Sequence, residues 1–474
     1  MPLRERFLLA LDRLVLGLFF RRIEVEGAER VSADGPLLIV ANHVNGLLDP
    51  MLVLGCLPRI PRFLAKSTLW EIPLLRPFLA LARPIPVHRP TDPGADPARN
   101  AEAFAAAREV LAAGGAVALF PEGRSHDEPA LAPLKTGAAR IVLEAVAARP
   151  GLAVDVLPVG LVFDAKERFR SRALVEVGDP FALTAADGPP ADPEAVRAAT
   201  ARIEAGLQTV TVNYASWQEA RLVARAAQVW ARPALDVPRH GRLATRAAVQ
   251  RAFAAGYRDL AARHPDRAAR VAARVQEYDR LLAAAGLRDE QVASAYALPP
   301  VARFLRRTLS TVLLRFPLAL LGTALNALPY QVVSLVVHRV RTLDQKATWK
   351  VFGALVLYPL TWVAEAVAAG LWIGGVPGLA AGAAVLVLAP VAGAVALPFH
   401  DRGSRLLAET RAFLLLRTRG RFADRLRAER AELREEVAEL VELWRGEVGG
   451  GESSLRAPSR TPPSPRRWRT GPGG

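Results

Sequence analysis

Two long apolar stretches in the second half of the chain, residues 351–373 and 376–398, restrict most strictly what it can fold into. Each exceeds the ~20 apolar residues that a helix needs to cross the hydrocarbon core of a bilayer. An uncharged glycine-rich turn at residues 374–378 joins them. Both outer flanks are basic, with Arg339, Arg341, Lys346 and Lys350 before the pair and Arg402, Arg405, Arg411 and Arg417 after it. Because basic flanks stay on the cytoplasmic side, the pattern predicts a transmembrane hairpin with both flanks in the cytoplasm.

The apolar segment that precedes this pair, residues 316–328, is too short to cross a bilayer by itself. Pro317 and Pro329 bracket it, so we predict a re-entrant or interfacial segment. The alternative is a bent span that continues through Pro329 to Val337. If the segment does not cross, the chain before it lies on the same side of the membrane as the flanks of the hairpin.

The first 22 residues contain another apolar run, which is too short to span a bilayer and is interrupted by Asp12 and Arg13. Helical spacing places apolar residues on one face, namely Phe7, Leu11, Leu14 and Leu18. For residues 1–22 we predict an interfacial helix that lies on the membrane surface. An ordinary amphipathic helix packed against a neighbouring domain fits the same spacing.

The overall composition points to a partner that carries negative charge. The 474 residues have a formal net charge of +16, and 51% of them are hydrophobic. Nucleic acid, a membrane surface and a phosphorylated substrate would each suit the charge, and the apolar content favours a membrane over nucleic acid. A chain of this length is expected to contain about two or three domains. Its single cysteine, Cys56, leaves no intrachain disulfide and no cysteine-based zinc cluster.

Residues 23–210 alternate strand-like and helix-like segments, which predicts an α/β domain. The clearest unit begins with the apolar run Leu37–Val40, a predicted buried strand. Asn42-His43 follows the strand, and Asp49-Pro50 leads into a helix predicted over Met51–Leu57. Unusual residues also occur at further strand ends, at 84–90, 116–125 and 154–160. Such strand ends are a common place for a ligand in an α/β sheet.

The polar residues at these strand ends indicate acid–base chemistry on a phosphorylated molecule. A histidine such as His43 can accept a proton from an alcohol. A carboxylate such as Asp49 can fix its tautomer and stabilise the imidazolium. A guanidinium, as in Arg89 or Arg124, suits bidentate contact with phosphate. Taken singly, Asp49 could be only a helix cap and His43 only a hydrogen-bonded residue at a strand end.

The order and spacing of the four strand ends resemble the four sequence blocks of the phospholipid/glycerol acyltransferase (PlsC-like) family. The matching stretches are NH with a downstream Asp at 42–49, the arginine-bearing strand end at 84–90, FPEGRS at 120–125 and LPVG at 157–160. The family usually has four residues between His and Asp, whereas five separate His43 from Asp49. The longer spacing resembles the fungal-type glycerol-3-phosphate/dihydroxyacetone-phosphate acyltransferases and their bacterial relatives, as do residues 209–230 and 344–352.

This resemblance implies a membrane-bound enzyme that moves a fatty acyl group from acyl-CoA or acyl-carrier protein. The acceptor would be a hydroxyl of glycerol 3-phosphate or dihydroxyacetone phosphate. The resemblance implies that His43 removes the hydroxyl proton while Asp49 holds the imidazole. It also implies substrate binding by Asn42, Arg89, Glu122, Gly123 and Arg124. It implies no metal and no cofactor.

Two other functions fit the same residues. A lysophosphatidic acid acyltransferase would need the same phosphate-binding residues, because both acceptors present a phosphate. The long His43–Asp49 spacing and the stretch at 344–352 favour glycerol phosphate. A membrane scaffold with an inactive acyltransferase fold would not need to keep His43, Asp49, Glu122 and Arg124 intact. A nucleic-acid partner is not expected, because the sequence contains no aromatic-basic surface motif.

The composition of the remaining segments predicts what structure each of them forms. Residues 211–305 are predicted to form a helical region, 306–400 the membrane region and 401–446 a charged helix. A short apolar seam within residues 422–444 predicts weak self-association. Residues 447–474, rich in Gly, Pro, Ser and Arg, are predicted to be a disordered basic tail that contacts anionic lipid. These assignments predict an integral protein of the cytoplasmic membrane whose α/β domain faces the cytoplasm.

Overall fold

The computed structural model describes residues 2–88, 99–231, 242–293, 298–340 and 342–448. Arg89, Arg341 and the predicted basic tail from residue 449 onward lie outside these ranges. The strands are β1 (Phe20–Glu26), β2 (Leu37–Ala41), β3 (Arg62–Lys66), β4 (Ile85–Val87), β5 (Ala116–Leu119), β6 (Val154–Phe163), β7 (Ser171–Val177) and β8 (Phe181–Leu183). The helices up to residue 231 are α1 (Leu3–Phe19), α2 (Leu48–Cys56), α3 (Arg76–Ala82), α4 (Asn100–Ala112), α5 (Gly137–Ala148), α6 (Pro193–Val210) and α7 (Trp217–Ala231). The later helices are α8 (Leu243–Arg263), α9 (Pro265–Ala285), α10 (Asp289–Val292), α11 (Leu298–His338), α12 (Leu343–Ile373), α13 (Gly375–Thr418) and α14 (Gly420–Val448).

The strands form one eight-stranded sheet in the order β1-β7-β6-β2-β5-β3-β4, with β8 paired to β6. Strand β6 runs antiparallel to β7 and β8, and the other pairs are parallel. Strand β2 lies between β5 and β6, and all five of its residues are buried. Its run of Leu, Ile and Val is typical of a strand covered on both faces. The predicted α/β domain is confirmed, although the sheet begins at Phe20 and not at residue 23.

Helices cover both faces of the sheet and divide its core in two. On one face α1 and α2 pack over β2, so that Leu37 and Ile39 share an apolar cluster with Leu48. On the other face Leu38 and Val40 pack in a cluster formed by α4, α5 and α6. This alternation along β2 is the period of a strand. The loop that follows β2 is therefore rooted in a strand held from both sides.

Helix α1 packs on the domain with one side and leaves an apolar stripe on the other. Its inward side is buried in the core through Leu8, Leu16 and Phe19. Its exposed apolar residues are Leu3, Phe7, Leu14 and Leu18. The two interpretations of residues 1–22 therefore describe opposite sides of one helix, which ends at Phe19 because Phe20 enters β1.

Helices α7, α8, α9 and α14 form a bundle with an apolar core of its own. The seam of α14 is buried inside this core, at Leu433, Val437 and Val441. The predicted self-association through residues 422–444 is therefore wrong, because helices of the same chain already cover this seam. Helix α8 joins the bundle to the sheet, where Arg251 forms a 2.5 Å ion pair with Glu176 of β7.

Among the described residues, three helices are long and apolar enough to cross a membrane. They cover Arg315–His338, Gln345–Ile373 and Gly375–Thr418. The last two contain the predicted spans. The first differs from the prediction, because α11 is one continuous helix of 41 residues that includes Pro317 and Pro329. The apolar segment at 316–328 is thus not a short isolated piece.

The predicted charged helix over residues 401–446 is also divided differently. Helix α13 continues from its apolar part to Thr418, and α14 begins at Gly420 after the single residue Arg419. The end of α13 enters the bundle, where Ala412 and Leu416 are buried. One helix therefore connects the apolar region directly to the bundle.

Candidate active site

The end of β2 and the start of α2 bring His43 and Asp49 into contact. The Nδ1 atom of His43 lies 2.9 Å from Oδ2 of Asp49, and the backbone N–H of Asn45 donates to the same oxygen at 2.6 Å. The Asp49 carboxylate is fully buried, whereas 13% of the His43 side chain is exposed. A carboxylate at Nδ1 fixes the proton on that nitrogen. Nε2 is then the basic atom of the ring, and within the described residues it has no hydrogen-bond partner.

Asp49 does not cap helix α2. The helix begins at Leu48, three residues earlier than predicted, and Leu47 occupies the N-cap without a side-chain bond. Asp49 lies in the first turn, so its carboxylate points back toward the loop. Gly46 has a φ of +48°, in the left-handed region that glycine adopts at little cost. The early start of the helix and this tight turn absorb the fifth residue between His43 and Asp49.

The imidazole of His43 is held by an aromatic ring as well as by Asp49. The ring of Phe120 stacks on it, with ring centroids 4.2 Å apart and planes inclined by 19°. Phe120 follows β5, the strand next to β2. The FPEGRS stretch therefore contributes to the site through its first residue, which sequence reasoning did not single out.

Glu122 lies buried beneath the site and links its loops. Its Oε1 accepts the backbone N–H of His43 at 2.6 Å, and its Oε2 accepts the backbone N–H of Ala132 at 2.7 Å. The Nε2 atom of His126 also bonds to Oε2. These partners place Glu122 as a positioning residue for the His43 backbone. Direct contact between Glu122 and substrate stays a prediction.

The side chain of Asn42 likewise forms its hydrogen bonds with the protein backbone. Its side-chain Nδ2 donates to the carbonyl of Leu161 at 3.1 Å, and its Oδ1 accepts the N–H of Leu161 at 2.7 Å. The amide thereby continues the pairing of β2 with β6 one residue past the end of β2. This clamp fixes the backbone that leads into His43, and a role in binding substrate stays a prediction.

The FPEGRS turn also presents positive charge to solvent. Arg124 is exposed, and its side chain has no hydrogen-bond or ion-pair partner among the described residues. Gly123 has a φ of +73°, and a Cβ built on it would lie 2.8 Å from Cδ of Lys135. The Lys135 side chain therefore passes closely over Gly123, beside Arg124. Arg89, the other predicted phosphate ligand, lies outside the described residues.

The loop between β6 and β7, residues 164–170, contacts both the loop after β2 and the segment that follows the FPEGRS turn. The carbonyl of Lys166 accepts a bond from Nδ2 of Asn45 at 3.0 Å. Nζ of Lys166 donates to the carbonyl of His126 at 3.3 Å and forms a 2.5 Å ion pair with Asp127. Sequence reasoning missed His126 and Lys166. The four-residue spacing of Glu122 and His126 was the one available signal for the former.

The assembled site can accept a proton at a fixed imidazole nitrogen next to exposed cations. Within the described residues, no group of three or more His, Cys, Asp or Glu side chains is arranged to hold a metal ion. The chemistry that these residues offer by themselves is general base catalysis on an alcohol, with cationic recognition of an anionic group nearby.

Two family models match the chain. An acyltransferase model matches residues 22–162, which contain His43, Asp49 and the FPEGRS turn. The model of the glycerol-3-phosphate acyltransferase 2 C-terminal domain matches residues 238–448, which contain the apolar helices and the bundle except for α7. The first match thus lies in the α/β domain and the second in the helical part of the chain.

Individual relatives agree with these models. The chain is 29% identical over 284 residues to glycerol-3-phosphate O-acyltransferase 2 of Saccharomyces cerevisiae, which covers 56% of this chain and 37% of that protein. It is 30% identical over 144 residues to the chloroplastic 1-acyl-sn-glycerol-3-phosphate acyltransferase LPAT1 of Arabidopsis thaliana, covering 30% of this chain and 36% of that one. The chain thus spans well under half the length of either relative. The crystal structure of the 1-acyl-sn-glycerophosphate acyltransferase PlsC from Thermotoga maritima aligns with 44% of this chain and 78% of its own, at 22% identity and a TM-score of 0.33.

Proposed function

Because this chain belongs to the PlsC-like family of glycerolipid acyltransferases, we propose that it acylates a hydroxyl of glycerol 3-phosphate with a fatty acyl group from a thioester. One observation carries the proposal: Nε2 of the His43–Asp49 pair is available, and the turn that bears the exposed Arg124 contacts His43 through Glu122. The match of residues 238–448 to a glycerol-3-phosphate acyltransferase C-terminal domain favours this acceptor. Dihydroxyacetone phosphate, with the same phosphate and a primary hydroxyl, is the close variant.

In this reaction Nε2 of His43 takes the proton of the acceptor hydroxyl as its oxygen attacks the thioester carbonyl. Asp49 stabilises the imidazolium that forms and holds its orientation. The tetrahedral intermediate then collapses: the carbon–sulfur bond breaks, the new ester remains, and the imidazolium returns the proton to the leaving thiolate. The atoms balance without a covalent acyl-enzyme and without a metal or redox cofactor. Acyl-CoA and acyl-carrier protein are both suitable donors.

The phosphate of the acceptor would be bound by the cations at the FPEGRS turn. Arg124 can form two parallel hydrogen bonds to phosphate oxygens, and Lys135 adds a point charge over Gly123. Neither side chain has a hydrogen-bond or ion-pair partner among the described residues, so neither must break a bond to bind phosphate. Glu122 and Asn42 would support this site from below through their backbone contacts.

A second candidate is acylation of lysophosphatidic acid. It is favoured by the similarity of this chain to an acyltransferase named for 1-acyl-sn-glycerol-3-phosphate. Both acceptors carry the phosphate that Arg124 would bind, so this part of the site suits either. The C-terminal match and the longer loop between His43 and Asp49 favour glycerol 3-phosphate over this candidate.

The test is an acceptor panel with the full chain in phospholipid nanodiscs. Glycerol 3-phosphate, dihydroxyacetone phosphate and lysophosphatidic acid are offered with labelled acyl-CoA or labelled acyl-carrier protein. Glycerol 3-phosphate should give the highest kcat/KM. Arg124→Ala should raise the KM for the phosphorylated acceptor by about ten- to hundredfold and leave the KM for the thioester nearly unchanged. Arg270→Ala, an exposed arginine on the bundle, is the matched control.

Each outcome of this panel decides between the candidates. Higher kcat/KM with lysophosphatidic acid would replace the first candidate with the second. No transfer to any acceptor by the intact chain would leave the membrane scaffold as the better account. An equal rise in KM for both substrates in Arg124→Ala would assign that residue to the CoA phosphates or to the fold.

For placement in the membrane, we propose that α12 and α13 form a hairpin that enters and leaves on the side of the catalytic domain. Near the start of α12, Nζ of Lys350 donates to the carbonyl of Glu167. On α13, Asp401 accepts a 3.2 Å bond from Arg170. Both ends of the hairpin thus contact the same β6–β7 loop, and the turn at Gly374 lies between them in sequence. Because thioester donors are cytosolic, this side would be the cytoplasmic face of the cytoplasmic membrane.

Helix α11 would lie in the membrane without a net crossing, although it is long enough to cross. It follows Val292, which is buried in the bundle core, and it precedes Ala347, which is buried in the core of the α/β domain. These two bodies contact each other through Arg251 and Glu176. The bundle and the α/β domain are in contact, so both lie on the same side of the bilayer. The chain must therefore be on that side at residue 292 and again at residue 347. This supports the interfacial interpretation of the segment over the re-entrant one, because α11 is one continuous helix that does not turn back.

Cysteine labelling in sealed cells tests the placement. Single cysteines replace Gln345, Gly375 or Gly403 in a chain that carries Cys56→Ser. A membrane-impermeant thiol reagent should label the cysteine at position 375 and should reach 345 and 403 only after the membrane is opened. Labelling at position 345 in sealed cells would put the α/β domain, whose core contains Ala347, on the outer side of the membrane and would overturn the proposed orientation.

A further inference from the structure

The loop between His43 and Asp49 is bonded to a residue some 300 positions later in the chain. The backbone N–H of Leu47 donates to Oγ1 of Thr348, on the first turns of α12, at 3.1 Å. The other polar contacts of this loop come from the α/β domain, through Asn45 with Asp49 and with Lys166. One of its hydrogen bonds is therefore made by the apolar helical region.

The start of α12 is fixed firmly enough to hold the loop. Ala347 is fully buried and Val351 nearly so, in the same apolar cluster as Leu48 and Leu52 of α2. Lys350 adds a bond to the carbonyl of Glu167. Thr348 thus lies between buried residues on a helix that is anchored to two elements of the α/β domain.

We propose that Thr348 is a positioning residue that sets the geometry of His43 and Asp49, so that turnover depends on docking of the α12–α13 hairpin. The inference rests on the proposed acyltransferase activity. Leu47 is the N-cap of α2, and Asp49 lies two residues later in the first turn of that helix. A shift of Leu47 therefore moves the carboxylate that accepts both Nδ1 of His43 and the N–H of Asn45. Small displacements of a catalytic group lower kcat strongly.

A purely structural role for Thr348 would lower the melting temperature together with kcat, whereas the contacts of this turn predict an effect on kcat. The core contacts of this turn come from Ala347 and Val351, and Thr348 contributes a hydroxyl bond to a partly buried amide. Removing the hydroxyl leaves that amide to water or to a shifted loop. The expected effect is thus on the loop and on kcat, with little change in melting temperature.

The experiment compares three variants of the full chain in nanodiscs. Thr348→Val keeps the side-chain shape and removes the acceptor, Thr348→Ser keeps the acceptor, and Thr361→Val is the matched control. Thr361 lies on the same helix and bonds only to the carbonyl of Leu357, one turn earlier. Thr348→Val should lower kcat about tenfold, with both KM values within about twofold of the wild type. Thr348→Ser should restore most of the turnover, and Thr361→Val should behave as the wild type.

Amide hydrogen exchange supplies a readout that needs no substrate. The peptide covering residues 44–48 should exchange faster in Thr348→Val than in the wild type or in Thr361→Val. Wild-type turnover and unchanged exchange in Thr348→Val would overturn the inference. So would an equal loss of kcat and melting temperature in both Thr348 variants, since that pattern describes a general packing role. If the wild type transferred no acyl group, the proposed function would fail, and the exchange result would still decide whether Thr348 holds the loop.

Discussion

The α/β domain and the apolar helices use the same residue types in opposite ways. Strand β2 buries all of its Leu, Ile and Val side chains, whereas α12 and α13 expose many of theirs, with Leu371 81% and Leu379 77% exposed. Exposed apolar area of that extent is unfavourable in water and favourable in lipid. The two regions are therefore built for different solvents. Their meeting point, at the β6–β7 loop and the start of α12, lies next to His43.

The two regions treat buried polar groups alike. In the α/β domain, the buried Glu122 is surrounded by three donors. Between the apolar helices, Nδ2 of Asn326 donates to backbone carbonyls of α11 and α13, and its Oδ1 accepts Nε1–H of Trp362 at 3.0 Å. Neither a protein core nor a lipid tail replaces a lost hydrogen bond. Glu122 and Asn326 are fully paired, whereas Oδ1 of Asp49 and Oε2 of Glu365 are buried without a hydrogen-bond partner among the described residues. The changes below test what pairing contributes in each region.

The largest effect is expected from His43→Ala, which tests the proposed catalytic site without changing the apolar helices. Loss of the general base should lower kcat by about 10³- to 10⁴-fold. Membrane extraction and melting temperature should stay near wild type, because the apolar helices are unchanged. His264→Ala is the matched control, since that histidine pairs with Glu447 on the bundle surface. Substantial turnover by His43→Ala would remove the proposed role of this residue.

The next effect tests polar pairing beneath the site. Glu122→Gln keeps the shape but replaces one acceptor oxygen by a donor, so the amide side chain cannot accept from His43, Ala132 and His126 together. A lost charge-assisted hydrogen bond costs about 1.5–3 kcal/mol. We expect a fall in kcat of about ten- to hundredfold together with a lower melting temperature. The exposed Glu128→Gln should change neither. A rise in KM for the phosphorylated acceptor alone would instead show that Glu122 contacts substrate.

The sequence was most informative where the residues that contact each other are close together in the chain. A continuous apolar strand predicted β2, and the short loop after it predicted that His43 and Asp49 meet. The start of α2 was predicted less well. Asp49-Pro50 is a common helix start, but the helix begins one residue before Asp49, at Leu48. Local pattern thus predicted the contact between His43 and Asp49 more reliably than the residue at which α2 begins.

What could not be predicted depends on contacts between distant segments. Nothing near Leu47 indicates that its N–H bonds to Thr348. The apolar seam of α14 has the same pattern whether it packs on a second copy or on helices of its own chain, and only the fold selects the latter. Similarly, the prolines that bracket residues 316–328 suggested a break, but packing of α11 on α13 and α12 keeps the helix continuous.

A smaller effect is expected from Gly322→Ala, which tests packing between the apolar helices. A Cβ at Gly322 would lie 2.1 Å from the carbonyl oxygen of Ala392 on α13, so the two helices must separate. Overpacking of this kind costs about 1–3 kcal/mol, which should lower the melting temperature in nanodiscs. Gly403→Ala is the matched control, because a Cβ there meets nothing within 4 Å. This half-buried helical site should gain about 0.5–1 kcal/mol on substitution. Equal behaviour of the two variants would show that α11 does not pack closely on α13.

The last effect depends on pH and concerns Asp12, one of several buried polar groups in the α/β domain that have an oxygen without a partner among the described residues. This carboxyl is buried under Gly55, and its Oδ2 has no hydrogen-bond partner in the described part of the chain. Burial raises the pKa of Asp12 to about 8, against a lowering contribution from Arg13. Because the folded state holds this proton more tightly, the stabilising contribution of Asp12 is fully present below an unfolded pKa near 3.8. It is lost as the pH rises toward 8.

Asp12→Asn removes this dependence and should therefore raise the melting temperature more at pH 8 than at pH 5. The gain should grow by at most about 3–5 °C per pH unit and level off above pH 8. The exposed Asp34→Asn supplies the control and should give a flat profile over the same range. A constant difference between Asp12→Asn and wild type from pH 5 to pH 8 would show that Asp12 finds a partner or water in the folded protein.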